Sequence, residues 1–309
     1  MKKEFDRMQQ IGVERLLAVS DLHVDYARNR LWVDRLGERD FSDAALLVAG
    51  DVSHRLDRFE DALTTLAGIF GAVFFVPGNH DLWTGEESRN SLHKLEQLKS
   101  ICQATGVLTE PAVLFSGAAR VQVIPLVSWY HEPEESNDSL FIGRGGDDPW
   151  REAWADYRRV TWPETIGPGG AADYLSEANR GWRRLDDRIP VVTFSHFLPR
   201  RELLRGPAPG AGPAMAEPRL AFNFSRVAGS AAIDRQLRSL GAGVHVYGHQ
   251  HRNRDRTIDE VRYRSNCLGY PAERDRKQLV DLEDGPVPVW TSDAGFSVGG
   301  SPAGRVGVA

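Results

Sequence analysis

Six short apolar runs constrain this chain more than any other feature of its sequence: Leu16–Val19, Ala44–Ala49, Val73–Val76, Val121–Val127, Val191–Phe194 and Val244–Tyr247. Each is too short for a stable helix and too continuous for a strand with one wet face. Each therefore reads as a strand buried on both sides. Between them Phe59, Ala62, Leu63, Leu66 and Ala67 recur at helical spacing, as do Leu92, Leu95, Leu98 and Ile101. Strand, helix, strand predicts an α/β core whose sheet is covered on both faces.

The residues just after these runs carry the chemistry. Ser20-Asp21-Leu22-His23 succeeds the first run, Gly50-Asp51-Val52-Ser53-His54-Arg55 the second and Pro77-Gly78-Asn79-His80-Asp81 the third. The fifth leads into Ser195-His196 and the sixth into Gly248-His249-Gln250-His251. In open α/β sheets ligands bind at the carboxyl ends of strands, so these ends are expected to converge on one crevice. Residues two apart in extended chain point the same way, which lets Asp21 and His23 meet one ion while Leu22 turns to the core. His249 and His251 can do the same, or diverge to two ions across a turn. The glycines at 50, 78 and 248 would permit the tight turns required. Imidazole, carboxylate and amide oxygen without thiolate suit manganese, iron or zinc and not copper(I).

Charge and composition exclude several classes. A net charge of −5 argues against an extended nucleic-acid-binding surface, which needs a basic excess, and leaves a small phosphate ester open. Cys102 and Cys267 are too few for a disulfide framework and match no thiolate metal motif. Charged residues interrupt the first ten positions, and the most apolar segment, Ala67–Val76, is about half of the ~20 residues a membrane span needs. A reduced, cytoplasmic setting with no membrane anchor is expected.

Taken in order, Asp-x-His, Gly-Asp-x-x-x-Arg, Gly-Asn-His-Asp, Ser-His and Gly-His-x-His resemble the motifs of the calcineurin-like metallophosphoesterase superfamily, from Asp21 to His251. The resemblance implies an α/β fold in which two mixed β-sheets pack as a sandwich flanked by helices, with metals at the sheet edges. It implies that Asp21, His23 and His251 hold one ion, that Asn79, His196 and His249 hold a second, and that Asp51 bridges both. It also implies that His80 faces the substrate and that Asp81 orients His80. Arg55 completes the second motif and is expected to support the site or contact substrate. Two divalent ions about 3.5–4 Å apart activate water and clamp a phosphate oxygen, so an enzyme that hydrolyses a phosphate ester is expected. A phosphomonoesterase acting on a small or medium organic phosphate is the first reading, and a phosphodiesterase acting on nucleotides or a related diester the second. A catalytically inactive scaffold would be expected to have lost ligands, and all seven residue types are present. Ser53-His54-Arg55-Leu56 stands where the Ser/Thr protein phosphatase branch carries Asp-Arg-Gly, which argues against that branch.

Residues 1–284 are expected to form one domain. The polar, glycine-broken stretch 131–188 holds Trp150, Trp154, Trp162 and Trp182 and is expected to form a partly helical cap. Such a cap would select the substrate while leaving the metal centre intact, because the ligand motifs lie outside it. His131 comes after the fourth run and is expected to overlook the crevice and touch substrate. Residues 206–218 and 285–309, rich in Pro, Gly and Ala, read as a loop and a partly disordered tail. His54 reads as a solvent-facing or supporting residue, His93 as a structural or exposed one, and His245 as a satisfied core or sheet-face one.

Overall fold

The structure, a computed structural model, describes residues 8–143, 151–166, 170–205, 222–279, 282–283 and 285–296. The chain begins with β1 (Gln9–Gly12), β2 (Arg15–Val19), α1 (Ala27–Leu36), β3 (Phe41–Ala49), α2 (Leu56–Ile69) and β4 (Phe70–Val76). It continues through α3 (Ser91–Thr105), β5 (Ala112–Ser116), β6 (Ala119–Pro125), α4 (Asp156–Arg159), α5 (Gly170–Ala178) and β7 (Val191–Phe194). Then come α6 (Ala231–Ser239), β8 (Ala242–Tyr247), β9 (Asp255–Ile258), β10 (Val261–Ser265), α7 (Pro271–Asp275), β11 (Val287–Thr291) and β12 (Gly295–Phe296).

The strands form the expected sandwich of two mixed sheets. One has seven strands in the order β1-β5-β6-β7-β8-β10-β9, the other five in the order β12-β11-β2-β3-β4. Because successive side chains of a strand face opposite ways, β2 and β3 split their apolar residues between two cores. Leu16, Ala18, Ala45, Leu47 and Ala49 lie between the sheets with Phe74, Leu114, Val123, Val192, Phe194 and Val246. Leu17, Val19, Leu46 and Val48 face outward, in one cluster with Val33 of α1, Phe59 and Leu63 of α2, and Leu95 of α3. Every residue from Ala44 to Ala49 is 0% exposed, as a strand buried on both faces requires. Burying each full-sized side chain of this kind contributes about 1.5–3 kcal/mol before entropy is counted.

Local signals set the helix ends. The Asn90 side chain accepts from the His93 backbone N–H at 2.9 Å and opens α3, and Gly106 closes it at φ 73°.

The five-stranded sheet continues past residue 284. Val287 pairs with Ala18 and Thr291 with Arg15, antiparallel, so β11 covers one edge of β2. Val289 and Trp290 are buried, and their apolar area ties down a segment whose composition reads as tail. Residues 297–309 lie outside the described residues, as do the loop at 206–218 and Trp150. Within the 131–188 stretch the chain forms α4, α5 and short 3-10 turns at Arg151–Ala153 and Glu164–Ile166. Among the described residues, no helix is long and apolar enough to cross a membrane.

Strand direction places the site. β2, β3 and β4 run parallel, and β6, β7, β8 and β10 run parallel in the other sheet. Carboxyl ends therefore gather along one edge of each sheet. The two edges meet there, through the Ser20–Cys267 bridge and the hydrogen bond from Gly269 N–H to Asp21 O at 2.9 Å.

Candidate metal centre

At the ends of these strands the backbone adopts conformations that L-residues avoid. Asp21 (φ 54°), His23 (42°), Asp51 (57°), His249 (72°) and His251 (49°) all lie in the left-handed region. Each such residue costs on the order of 1–3 kcal/mol and persists where its surroundings over-determine it. All five are among the residues that the motif resemblance implies as metal ligands. Glycine is required beside them: a Cβ on Gly78 would stand 2.1 Å from Asp51 Oδ1, and one on Gly50 (φ 80°) would stand 2.6 Å from His196 Nδ1.

All seven expected ligand side chains meet. Asp51 Oδ2 lies 3.4 Å from His196 Nε2 and 3.9 Å from His23 Nε2, so it stands between two groups. On one side His196 Nε2 is 3.2 Å from both Asn79 Oδ1 and His249 Nδ1. On the other, His251 Nε2 is 3.0 Å from His23 Nε2 and 3.4 Å from Asp21 Oδ1.

Hydrogen bonds behind these atoms determine what they offer. His196 Nδ1 can only donate to Ala49 O at 2.9 Å, and His249 Nε2 can only donate to Val227 O at 2.9 Å. Burial pushes both imidazoles below their usual range, so both rings are neutral. His196 Nε2 and His249 Nδ1 therefore present bare lone pairs to one another. Asn79 donates its Nδ2–H to Asp156 Oδ1 at 2.9 Å, which turns its Oδ1 toward the same point. Three acceptors facing one another with no proton among them suit a cation.

The second group has the same need, expressed as charge. His251 Nδ1 lies 2.7 Å from Glu273 Oε2. Against burial, the Asp21 and Glu273 carboxylates push His251 up to about 10. A proton there occupies a position where the field demands positive charge. Burial, and then the Asp81 and Asp21 carboxylates, push Asp51 well above the usual carboxylate range. A divalent ion on each side of Asp51 would relieve both. The donor set thus fits two divalent ions.

His80 is close but differently held. Its Nε2 is 4.0 Å from Asp51 Oδ2 and 3.1 Å from the Tyr270 hydroxyl, and its ring centroid is 3.7 Å from that of Trp83. Asp81, expected to orient His80, does something else. Its carboxylate accepts the backbone N–H groups of Asp51 (2.8 Å), Val52 (2.9 Å), Ser53 (3.1 Å) and Gly78 (2.9 Å). It therefore locks the Asp51 turn to the Gly78 turn, and buried amides outbid an imidazole for its oxygens. Burial pushes Asp81 up to about 7, and the four amide donors oppose that.

Two further expectations change. Arg55 turns away to Asp57, with hydrogen bonds of 3.0 and 2.7 Å, because at the start of α2 this acid is its nearest partner. His131 is buried with its Nδ1 3.7 Å from Asp173, and among the described residues no hydrogen bond, ion pair or ring contact joins it to the metal cluster. His54 pairs with Asp25 at 3.3 Å. His245 is a satisfied core residue, 2.8 Å from Thr193 Oγ1 and 3.1 Å from Ser195 Oγ.

Tyr270, Glu273 and Asp156 are not legible as site residues in the sequence. Tyr270 lies 4.5 Å from His23 and 4.7 Å from His251, centroid to centroid. Tyr270 and Glu273 open α7, whose proline at position 271 is the one local signal available. Asp156 belongs to the stretch expected to leave the metal centre untouched, and it holds Asn79 directly.

The sequence model of the calcineurin-like phosphoesterase family matches residues 14–253. The chain is similar to the [acyl-carrier-protein] phosphodiesterase PptH of Mycobacterium tuberculosis, with 26% identity over 296 residues, 87% of this chain and 82% of that one. It is also similar to the crystal structure of the phosphopantetheinyl hydrolase PptH from the same organism, with a TM-score of 0.68 and 25% identity over 94% of this chain and 100% of that one.

Proposed function

The chain belongs to the calcineurin-like phosphoesterase family, and from that premise we propose that it hydrolyses a phosphodiester at a dinuclear metal centre. Asp21, His23 and His251 are assigned to one divalent ion, Asn79, His196 and His249 to the other, and Asp51 to both. The observation that carries the assignment is the position of Asp51 Oδ2 between two groups of converging ligand-type atoms, 3.4 Å from His196 Nε2 and 3.9 Å from His23 Nε2. Manganese, iron and zinc suit these donors. When bound, such ions supply Lewis acidity and an activated water.

The chain's own residues do the rest. Asp81 holds the two turns that carry Asp51 and Asn79, and Tyr270 and Trp83 hold the His80 ring. His80 Nε2 and the Tyr270 hydroxyl then stand at the mouth of the cluster, where they can donate to phosphate or leaving-group oxygens. Water adds to phosphorus, the bond to one ester oxygen breaks, and that oxygen leaves with a proton as an alcohol.

The motifs alone put a small phosphomonoester first. Similarity to a phosphodiesterase over most of both chains supports the diester instead. The substrate class proposed is a phosphopantetheinyl group carried on a protein, with the 131–188 stretch acting as the cap that receives it. The test compares manganese-loaded protein on phosphopantetheinylated acyl carrier protein, bis(p-nitrophenyl) phosphate and p-nitrophenyl phosphate. Preference for the diesters supports the reading, and faster cleavage of the monoester would overturn it.

A further inference from the structure

Asp156 of α4 lies 77 positions from Asn79 in sequence and is 1% exposed. Its Oδ1 accepts Asn79 Nδ2–H at 2.9 Å and Trp83 Nε1–H at 2.7 Å, and its Oδ2 accepts Trp154 Nε1–H at 2.7 Å. A buried carboxylate with three N–H donors, and no acceptor hydrogen-bonded to it among the described residues, is a fixed anchor. We infer that Asp156 is a positioning residue through which the 131–188 stretch and the metal centre hold each other in place. It points the Asn79 amide oxygen at His196 and His249, and an ion bound there in turn fastens α4. The inference rests on the assignment of Asn79 as a metal ligand.

The amide has two orientations, and Asp156 decides between them. Without this carboxylate, the Asn79 NH₂ could turn inward and donate to the bare Nε2 of His196, 3.2 Å from the present amide oxygen. The metal-free site would then satisfy itself, and an incoming ion would have to undo that hydrogen bond. With Asp156 in place the inward NH₂ is penalised twice. The amide oxygen would face a carboxylate, and the carboxylate would lose a donor in a buried setting. The ion-ready orientation is therefore set before the ion arrives.

Coupling of this kind is reciprocal: if the docked α4 helps an ion to bind, the ion stabilises the docked α4 by the same free energy. The same carboxylate oxygen also reaches the substrate side of the site. Trp83 shares Oδ1 with Asn79, stacks on His80 at 3.7 Å and carries the Arg159 guanidinium 4.7 Å over its ring. Backbone bonds from Thr84 N–H to Arg159 O (2.9 Å) and from Ser91 N–H to Thr161 O (2.8 Å) join α4 and the residues after it to the loop carrying Trp83. These contacts do not involve Asp156 and should keep the stretch near its place when the carboxylate is lost.

Two measurements on the full chain test this, manganese binding by titration and amide hydrogen exchange over residues 156–161 with and without manganese. Wild type should bind two ions, and exchange at 156–161 should slow when they bind. Asp156→Asn keeps the shape but places an NH₂ among three N–H donors. It should weaken one of the two ions about 10- to 100-fold, the range for lost partners behind a ligand, and abolish the metal-dependent slowing. Asn79→Ala retains Asp156 and its indole partners, and should lose both one ion and the slowing. It serves as the second variant should Asp156→Asn fold poorly. Unchanged affinity for both ions in Asp156→Asn, or undiminished slowing in Asn79→Ala, overturns the inference. If Asn79→Ala binds both ions as wild type does, the ligand assignment itself fails. Loss of an ion in Asn79→Ala but not in Asp156→Asn overturns the role of Asp156 alone.

Discussion

The Tyr270 hydroxyl stands 3.1 Å from His80 Nε2 and joins residues 190 positions apart across the mouth of the metal cluster. Tyr270→Phe removes that hydrogen bond and leaves the ring that packs on His23 and His251. Turnover should fall by up to about tenfold, the worth of one hydrogen bond, while metal content stays at the wild-type value. Steady-state kinetics beside elemental analysis would decide, and metal loss equal to that of His251→Ala would make Tyr270 a structural support instead.

Asp51→Asn should be the most damaging conservative change in the cluster. It keeps the shape but removes the one carboxylate that, among the described residues, reaches both His196 and His23, at 3.4 and 3.9 Å. Both ions should bind more weakly and turnover should be lost. His80→Ala should lose turnover with both ions retained. Similar metal content in Asp51→Asn and His80→Ala would contradict the assignment of either residue.

Asp81→Asn should cost stability as well as activity. Asp81 accepts four backbone N–H groups, and an NH₂ in place of one oxygen leaves at least one of them facing a donor, worth about 1–3 kcal/mol or more in a buried site. Urea unfolding of metal-free protein measures this. A variant as stable as wild type but slower would restore Asp81 to the task of orienting His80.

His245 gives a pH dependence of known sign. Burial holds its imidazole down to about 3, while in the unfolded chain it titrates near 6.5. The unfolded state binds the proton more readily, so this contribution is fully present above pH 6.5 and is lost as pH falls toward 3. His245→Gln should therefore lose less stability than wild type on acidification from pH 7 to pH 4. A constant difference between the two unfolding free energies across that range would exclude the effect.

The six central strands are legible because burial on both faces writes itself as an unbroken apolar run, as in Ala44–Ala49. β9 and β10 are not. Asp255–Ile258 has no buried residue, and Val261–Ser265 alternates with arginines, so neither holds a run. The seven candidate ligands can be read because each sits within a few residues of a strand end, where geometry is nearly forced. Asp156 and Glu273 act on those ligands, and Tyr270 on His80 beside them, across 22 to 190 positions of sequence, and no local spacing encodes such contacts. Asp81 shows the complementary error. Its neighbour in the motif suggests its partner, whereas four unpaired amides at the ends of β3 and β4 claim it.

Strand β11 has a temporal consequence. Ala18 begins its pairing with Val287, so the first motif-bearing strand obtains one of its neighbours only after nearly all of the intervening chain has been made. At typical synthesis rates that wait is on the order of tens of seconds. Until then β2 presents an open row of amides and carbonyls beside Leu16 and Leu17, a template on which a second nascent chain could pair. Crowded ribosomes or a stall downstream of residue 284 should lengthen that exposure, which makes β11 a guard against misassembly of β2.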